Sequence, residues 1–364
     1  MATSRTASSR VRLYETVRTA HLERARELTP ASIVYRRRRY DFDPAVAAGL
    51  DLIEAGPVGA AVVLARSDVR ELEINEPLMV SSLRRTALAL AAVTVAGWAR
   101  RRRTVVVTYA IANDDPFRPP RRPGVLGAVR RRLDAALIAG VARRVDRIAY
   151  GTDASRDLYA GLVPTLRAVA TSIPALPTAC TCGPAQDGAA GSVLFVGAFE
   201  PRKGVLDLLA AWPEVARQRP HARLTLVGKG PQQAAVEELV AGREDVTLVV
   251  DPPRARVHQL QREHSVAVLL SRRTPTWREQ VGLPVVEGLA HGCSVLTTTE
   301  TGLASWLAGH GHAVVDPDSS AAEVAAQVVR LLDEGRPSAS VLADLPDRDG
   351  RLEADTWLFG TSPV

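Results

Sequence analysis

The chain uses arginine 44 times and lysine only twice, and both lysines sit in glycine-bearing loops, Arg202-Lys203-Gly204 and Gly228-Lys229-Gly230. Each loop follows a short β-branched run, ending at Gly197 in SVLFVG and at Gly228 in ARLTLVG. A compact ammonium beside exposed backbone amides suits a phosphate oxygen. Lys203 has Arg202 beside it and a helical pattern starting at Val205, so the helix N-terminus adds free N–H groups and partial positive charge. Lys229 reads equally as an anion ligand or as a solvated loop cation.

A second set of residues lies in the run from Trp277 to Glu287. Pro284 suits the first turn of a helix, where its missing N–H costs nothing, so the amides of Gly282 and Leu283 can face an anion. Glu279 falls in the loop before that helix and Glu287 one turn inside it. Two carboxylates at this spacing can flank one elongated polyhydroxyl ligand and accept its hydroxyl hydrogens. Taken singly, each is also an ordinary surface acid.

Other chemistry-bearing residues point to less. The cysteines Cys180, Cys182 and Cys293 form one C-x-C pair and an odd residue, with no histidine near them in sequence. That pattern predicts neither a disulfide framework nor a metal site, and suits a reducing cytoplasm. His291 precedes Gly292 and reads as the end of a helix, and His310 and His312 flank Gly311 without a nucleophile. Asp41-Phe42-Asp43 and Asp316-Pro317-Asp318 follow no strong strand and read as solvated loop acids.

The elements that must position these residues are clearest from Ser192 onward. Strand-like runs (SVLFVG, ARLTLVG, VTLVV, VAVLLS, CSVLTTT, HAVVD) alternate with helical patterns up to SAAEVAAQVVRLLDEG. Short apolar runs with helices between them are strands buried on both faces of a parallel sheet. In the first half, strands are expected at 69–75, 104–111 and 147–150, with helices at 45–65 and 88–99, as a second, smaller α/β sheet. The expected organisation is an N-terminal domain over 1–175 opening with a helical arm over 1–30, a linker over 176–191 and a C-terminal domain over 192–335. A tail over 336–364 is expected to cross back to the N-terminal domain.

The order of parts from Ser192 to Glu334 resembles the donor domain of glycosyltransferase family 4: strand and Gly197, the R-K-G loop, G-x-G-P at Gly228 to Pro231, a strand ending in Ser271, then E-x7-E with G-L-P inside it. The resemblance implies the GT-B fold, two Rossmann-like doubly wound α/β domains facing a central cleft. It implies a retaining, metal-independent transferase of hexosyl or N-acetylhexosaminyl type using a nucleotide-diphosphate sugar, with a UDP-sugar favoured and no cofactor. Lys203 and Arg202 would hold the diphosphate with the backbone of Gly282 and Leu283. Glu279 would contact the sugar hydroxyls and Glu287 the ribose, with Gly197, Gly204, Gly228 and Gly230 shaping the donor loops and residues 251–254 lying near the base. Ala198 stands where the family often has Arg, and the N-terminal half lacks the family's Gly-Gly loop and histidine. Tyr109, Asn113 and Asp114 are the weak acceptor-side candidates there, and the usual turn preference of Asn and Asp favours reading them as ordinary strand-end and loop residues.

Composition narrows the alternatives. With 46% hydrophobic and 24% charged residues the chain is neither disordered nor collagen-like. The run Ala87 to Ala99 falls short of the about 20 residues that a bilayer crossing needs, and no secretory leader is read at the start. A nicotinamide enzyme would show G-x-G-x-x-G where Gly228-Lys229-Gly230 runs into Pro231 and Gln232. Aromatic residues are only 4%, with no basic and aromatic stripe for nucleic acid. Residues 1–190 hold 29 arginines against 18 acids, a net +11, and the remainder carries −5. This asymmetry suggests an anionic partner for the first half: a lipid surface at the inner membrane face, an acidic carrier protein or a charged acceptor. A soluble secondary-metabolite acceptor stays open, since the arginine- and alanine-rich composition resembles high-GC bacterial proteins. The competing reading is a non-catalytic GT-B scaffold or peripheral membrane protein.

Overall fold

The computed structural model describes residues 5–39, 42–118, 124–183 and 187–360. Two compact units appear: one runs to Ile173 and takes in the chain from Arg351 onward, the other spans Pro174–Gly350. Each is built on an all-parallel sheet with helices between consecutive strands, the doubly wound α/β class expected from the sequence.

The first sheet has seven strands: β1 (Arg10–Val17), β2 (Ser32–Arg38), β3 (Leu52–Glu54), β4 (Glu71–Glu73), β5 (Val105–Ala110), β6 (Arg147–Tyr150) and β7 (Val169–Ser172), in the order β3-β2-β1-β4-β5-β6-β7. The opening of the chain is therefore not an arm. Arg10–Val17 is an inner strand between β2 and β4, with Val11, Leu13 and Val17 fully buried. The expected helix is present only over Thr19–Ala25, after this strand. Arg12, on the strand, is buried because its guanidinium meets Glu73 at 3.0 Å and Asp355 at 2.6 Å. The expected helix over 45–65 is broken: Pro44–Ala47 and Pro57–Arg66 are helical, with β3 between them. Helices Leu83–Ala99, Val125–Ala142 and Asp153–Leu162 complete the unit. The last helix, Gly350–Phe359, brings Ala354 and Leu358 against Val107 and Ala149 of this sheet.

The second sheet has six strands: β8 (Ala189–Val196), β9 (Arg223–Gly228), β10 (Val246–Val250), β11 (His264–Leu269), β12 (Ser294–Thr298) and β13 (Ala313–Val315), in the order β10-β9-β8-β11-β12-β13. Residues 189–191, expected in the linker, are the first residues of β8. Val193, Phe195, Leu224, Leu226, Val266 and Val268 form its core with Leu208 and Trp212 of helix Val205–Gln218. Among the described residues no helix is long and apolar enough to cross a membrane.

Candidate functional site

The second unit gathers its reactive groups on the loops after β8, β9, β10 and β11, the carboxyl ends of four neighbouring parallel strands, where open α/β sheets bind ligands. After β8 the chain makes a short 3-10 turn, Pro201–Lys203, and Gly204 adopts a left-handed φ of 72° that redirects it into helix Val205–Gln218. Only glycine fits there, because a Cβ would collide with the carbonyl oxygen of Leu270.

Lys203 is thereby set against Glu279. The ammonium pairs with Oε2 of Glu279, and the hydroxyl of Ser271, just past β11, donates to the same oxygen at 2.9 Å. Both charged side chains are close to buried, at 12% and 10% exposure. Trp277 lies beside them, its ring centroid 4.8 Å from the Lys203 nitrogen and 4.2 Å from the Arg202 guanidinium carbon. Arg202 also pairs with Glu200 at 2.6 Å. The indole thus orients both cations through its ring face. Sequence reasoning gave Trp277 no role; an aromatic residue two positions before the first glutamate was the only signal.

The other predicted groups complete the rim. Gly282, with a φ of 78°, caps helix Leu283–Ala290, and Pro284 lies in its first turn. The N–H groups of Gly282 and Leu283 donate to no acceptor among the described residues. Glu287, one turn into the helix, meets Arg254 at 3.2 Å and the Gln261 amide at 3.4 Å. Arg254 opens helix Arg254–Glu263 after the β10 loop, so the structure joins the expected ribose carboxylate to the expected base loop. The loops after β8 and β9 lie against each other, the Phe199 N–H donating to the Lys229 carbonyl at 2.9 Å. A side chain at Gly228 would strike the Gly197 carbonyl, which explains glycine at that crossing. Lys229 itself is about 61% exposed and paired with Asp251 at 2.6 Å, as a solvated loop cation would be.

The acceptor-side candidates lie in the first unit. Tyr109 is at the end of β5, its ring 5.1 Å from the Arg351 guanidinium carbon; Asn113 is buried and Asp114 half-buried. The sequence reading passed over Glu76, which is half-buried in the same loop region. Its carboxylate accepts from the Ala112 N–H at 3.0 Å and from the Tyr159 hydroxyl at 3.3 Å. Burial pushes its pKa up to about 7.

The remaining motifs resolve as local structure. Asp43 caps helix Pro44–Ala47, whereas Asp41 lies outside the described residues; Asp316 accepts from the Asp318 N–H at 2.8 Å. His310 stacks on Trp306, and burial lowers the His312 pKa to about 4.

The cysteine pair has histidines near it after all, because the fold brings His258 and His291 to Cys180 and Cys182. His291 Nε2 stands 3.3 Å from Cys182 Sγ and 3.2 Å from His258 Nδ1, and Cys180 Sγ is 3.8 Å from His258 Nδ1. These contacts join residues far apart in the chain, which local spacing does not reveal.

Residues 190–334, less than half of the chain, match the model of a family described as glycosyl transferases group 1. No curated protein sequence is similar to the chain. Among solved structures, HepE (Alr3699) of Anabaena in complex with UDP aligns at a TM-score of 0.63 and 13% identity, covering 96% of this chain and 95% of that one. The lipopolysaccharide outer core galactosyltransferase WaaB aligns at 0.65 and 10% identity, covering 97% and 99%. WaaG, a glycosyltransferase involved in lipopolysaccharide biosynthesis, aligns at 0.60 and 18% identity, covering 96% and 100%. At these identities the likeness establishes the fold, which is GT-B.

Proposed function

We propose that the chain is a retaining, metal-independent glycosyltransferase that moves a sugar from a nucleotide-diphosphate sugar, by preference a UDP-sugar, to an acceptor hydroxyl. The observation that carries this reading is the Lys203–Glu279 pair. It is held by Ser271 and Trp277 in the loops that also bear the open N-terminus of helix Leu283–Ala290, inside the stretch that matches glycosyl transferases group 1. HepE has been solved with UDP, with UDP and glucose and with UDP-glucose, which supports a UDP-sugar donor here.

Lys203 and Glu279 neutralise one another in this structure. A donor diphosphate competes for the ammonium and takes it together with Arg202 and the Gly282 and Leu283 amides. Glu279, still held by Ser271, then has lone pairs for the sugar hydroxyls, and Glu287 accepts from the ribose. Negative charge grows on the leaving phosphate as the glycosidic bond stretches, so these donors bind the transition state more tightly than the ground state. The acceptor attacks the anomeric carbon from the face the diphosphate leaves, through an oxocarbenium-like state, and its proton passes to the departing phosphate oxygen. The anomeric configuration is kept. Lysine, arginine and amides carry the phosphate charge in this scheme, so it needs no divalent ion at the reacting centre.

For the acceptor side, Tyr109, Asn113 and Asp114 remain our candidates, joined by Glu76. Helix Val125–Ala142 favours a lipid surface among the anionic partners, because Val125, Leu126, Val129 and Leu133 are exposed beside Arg130, Arg131 and Arg132. A basic helix with an exposed apolar stripe suits the boundary of an anionic membrane. Vesicles with anionic lipid should bind the chain at low salt and release it at high salt. No binding at low salt removes the membrane and leaves a carrier-protein or soluble acceptor.

The donor reading is tested by thermal shift with UDP, GDP, ADP and dTDP. At about 100 times its dissociation constant UDP should stabilise the fold by roughly 2.7 kcal/mol, and Glu287→Ala should weaken that shift. Lys203→Ala should lower turnover by about 100- to 1,000-fold, the loss typical of one transition-state donor. If no nucleotide stabilises the chain, the alternative of a non-catalytic scaffold takes its place.

A further inference from the structure

We propose that Cys180, Cys182, His258 and His291 are the four ligands of a tetrahedral zinc site that ties the segment before β8 to the middle of helix Arg254–Glu263 and the end of helix Leu283–Ala290. Nothing in this inference depends on the proposed transferase activity. The four ligand atoms all lie within 4.8 Å of one another. Zinc with bonds of about 2.3 Å to sulfur and about 2.05 Å to nitrogen sets tetrahedral edges of about 3.3 Å between nitrogens, about 3.6 Å from sulfur to nitrogen and about 3.8 Å between sulfurs. The observed His258–His291 separation is 3.2 Å, and the two sulfur-to-nitrogen separations are 3.3 and 3.8 Å. Three of the six edges thus lie within about 0.3 Å of tetrahedral zinc values, and the rest stay within 4.8 Å, close enough for small side-chain shifts to complete the set.

The surroundings prepare the ligands for a metal. His291 Nδ1 lies 2.6 Å from the Glu287 carbonyl, which only accepts, so the proton is on Nδ1 and the Nε2 lone pair faces the cluster. That lone pair can accept one hydrogen, yet both Cys182 Sγ and His258 Nδ1 approach it. Each thiol can hydrogen-bond one imidazole, but that leaves the two facing ring nitrogens 3.2 Å apart with no proton between them, whereas a cation at the centre uses all four lone pairs. Arg262 donates to the Cys182 carbonyl at 2.6 Å and lies 3.4 Å from its sulfur, which holds the cysteine segment against helix Arg254–Glu263. The Cys180 N–H donates to the Ala290 carbonyl at 2.7 Å, which fixes that cysteine to the end of helix Leu283–Ala290.

Two thiolates and two neutral imidazoles with no open position make a closed structural site rather than a catalytic one. Its place gives it a mechanical role: His291 is one helical turn after Glu287, and His258 is one turn after Arg254. The metal would lock together the two helices whose side chains Arg254 and Glu287 meet at 3.2 Å.

The experiment is metal analysis of the full chain, purified under reducing conditions and dialysed against metal-free buffer, before and after incubation with zinc. About one zinc per chain is expected, lost in Cys180→Ser/Cys182→Ser and in His258→Ala and retained in Cys293→Ala, whose thiol is buried elsewhere. Cobalt added to the metal-stripped chain should give the intense visible bands of a tetrahedral ion and a thiolate charge-transfer band that Cys182→Ser removes. These readouts need no enzymatic activity, and nucleotide binding measured separately tells failure here from failure of the donor reading. A reduced chain that takes up no zinc, zinc that survives the double cysteine variant, or octahedral cobalt spectra would each overturn the proposal. So would a Cys180–Cys182 disulfide that persists under reductant in the presence of zinc.

Discussion

The two sheets solve the same construction problem with charge in opposite places. The second packs Val193, Phe195, Leu224, Leu226, Val266 and Val268 into one core, buries neutral polar groups such as Thr297 and His312, and carries its candidate-site acids and cations on the loops at the strand ends. The first buries charge inside. Arg12 and Arg351 share Glu73 and Asp355, all four at most about 8% exposed, and Arg85 donates to the carbonyls of Tyr14 and Val34 from a buried position. Charge in the first unit is therefore partly structural, and its +11 excess is not all available to a partner: Arg10, Arg12, Arg36 and Arg103 are each matched to an acid of the same unit. The contrast teaches that a polar residue on a strand of this molecule marks framework, while a polar residue on a loop after β8 to β11 marks the candidate site.

Removing Glu73 attacks the contrast most directly. Its two oxygens serve Arg12 and Arg351, so Glu73→Ala removes one of the two carboxylates that these buried guanidinium groups share. Breaking a buried pair in this way typically costs about 3–5 kcal/mol. Hydrogen exchange read by peptide should show the first unit opening, with helix Gly350–Phe359 loosened, and the second unit unchanged. Equal loss in both units would mean that the chain unfolds as one body and that the buried charges do not belong to the first sheet alone.

A smaller effect separates the units by pH. Glu76 holds its proton up to about pH 7 in the folded chain, against 4.5 for the free group, because its carboxyl is desolvated. Between those values the folded state binds the additional proton, so the first unit loses stability as pH rises, by roughly 3 kcal/mol in all. His312 goes the other way. Its folded pKa is about 4 against 6.5, so the unfolded state binds the additional proton and the second unit loses stability as pH falls through that window. Unit-resolved proteolysis from pH 4.5 to 7 should give slopes of opposite sign, with Glu76→Gln flattening the first and His312→Gln the second. Slopes of one sign would show that one of the two groups does not control its unit.

The same distribution of charge explains what could be read from the sequence. The second sheet was legible because its strands are short apolar runs and its site residues are local in the chain: Arg202-Lys203-Gly204, Gly228-Lys229-Gly230, and Glu279 to Glu287. β1 and β2 hid behind their arginines. Arg12 made an inner strand look like a polar arm, and the run Arg36 to Arg39 at the end of SIVYRRR masked the strand it closes. Trp277 and Ser271 acquire meaning only when Lys203 and Glu279 meet. Cys180 and Cys182 needed histidines 78 and 109 residues away, at spacings that match no short metal motif. Long-range contacts and the internal pairing of charge are what composition and periodicity leave out.

The smallest effect decides how far the anion site extends. Lys203 and Lys229 occupy glycine loops on adjacent strands, and the sequence favours Lys203 for a phosphate while leaving Lys229 evenly balanced. The structure widens that difference: Lys203 is nearly enclosed by Glu279, Ser271 and Trp277, whereas Lys229 and Asp251 are both more than half exposed. An exposed pair of this kind contributes at most about 1 kcal/mol, because solvent screens it and two mobile side chains must be ordered to make it. Lys229→Ala should therefore leave the melting temperature close to that of the wild type and change nucleotide affinity by less than about tenfold, a factor equivalent to about 1.4 kcal/mol. Isothermal titration with UDP on both lysine variants makes the comparison. Equal losses would place the loop after β9 in the anion site and make the Lys229–Asp251 pair a gate that a phosphate opens. A loss confined to Lys203→Ala would limit the site to the loops after β8 and β11, where the enclosed cation is.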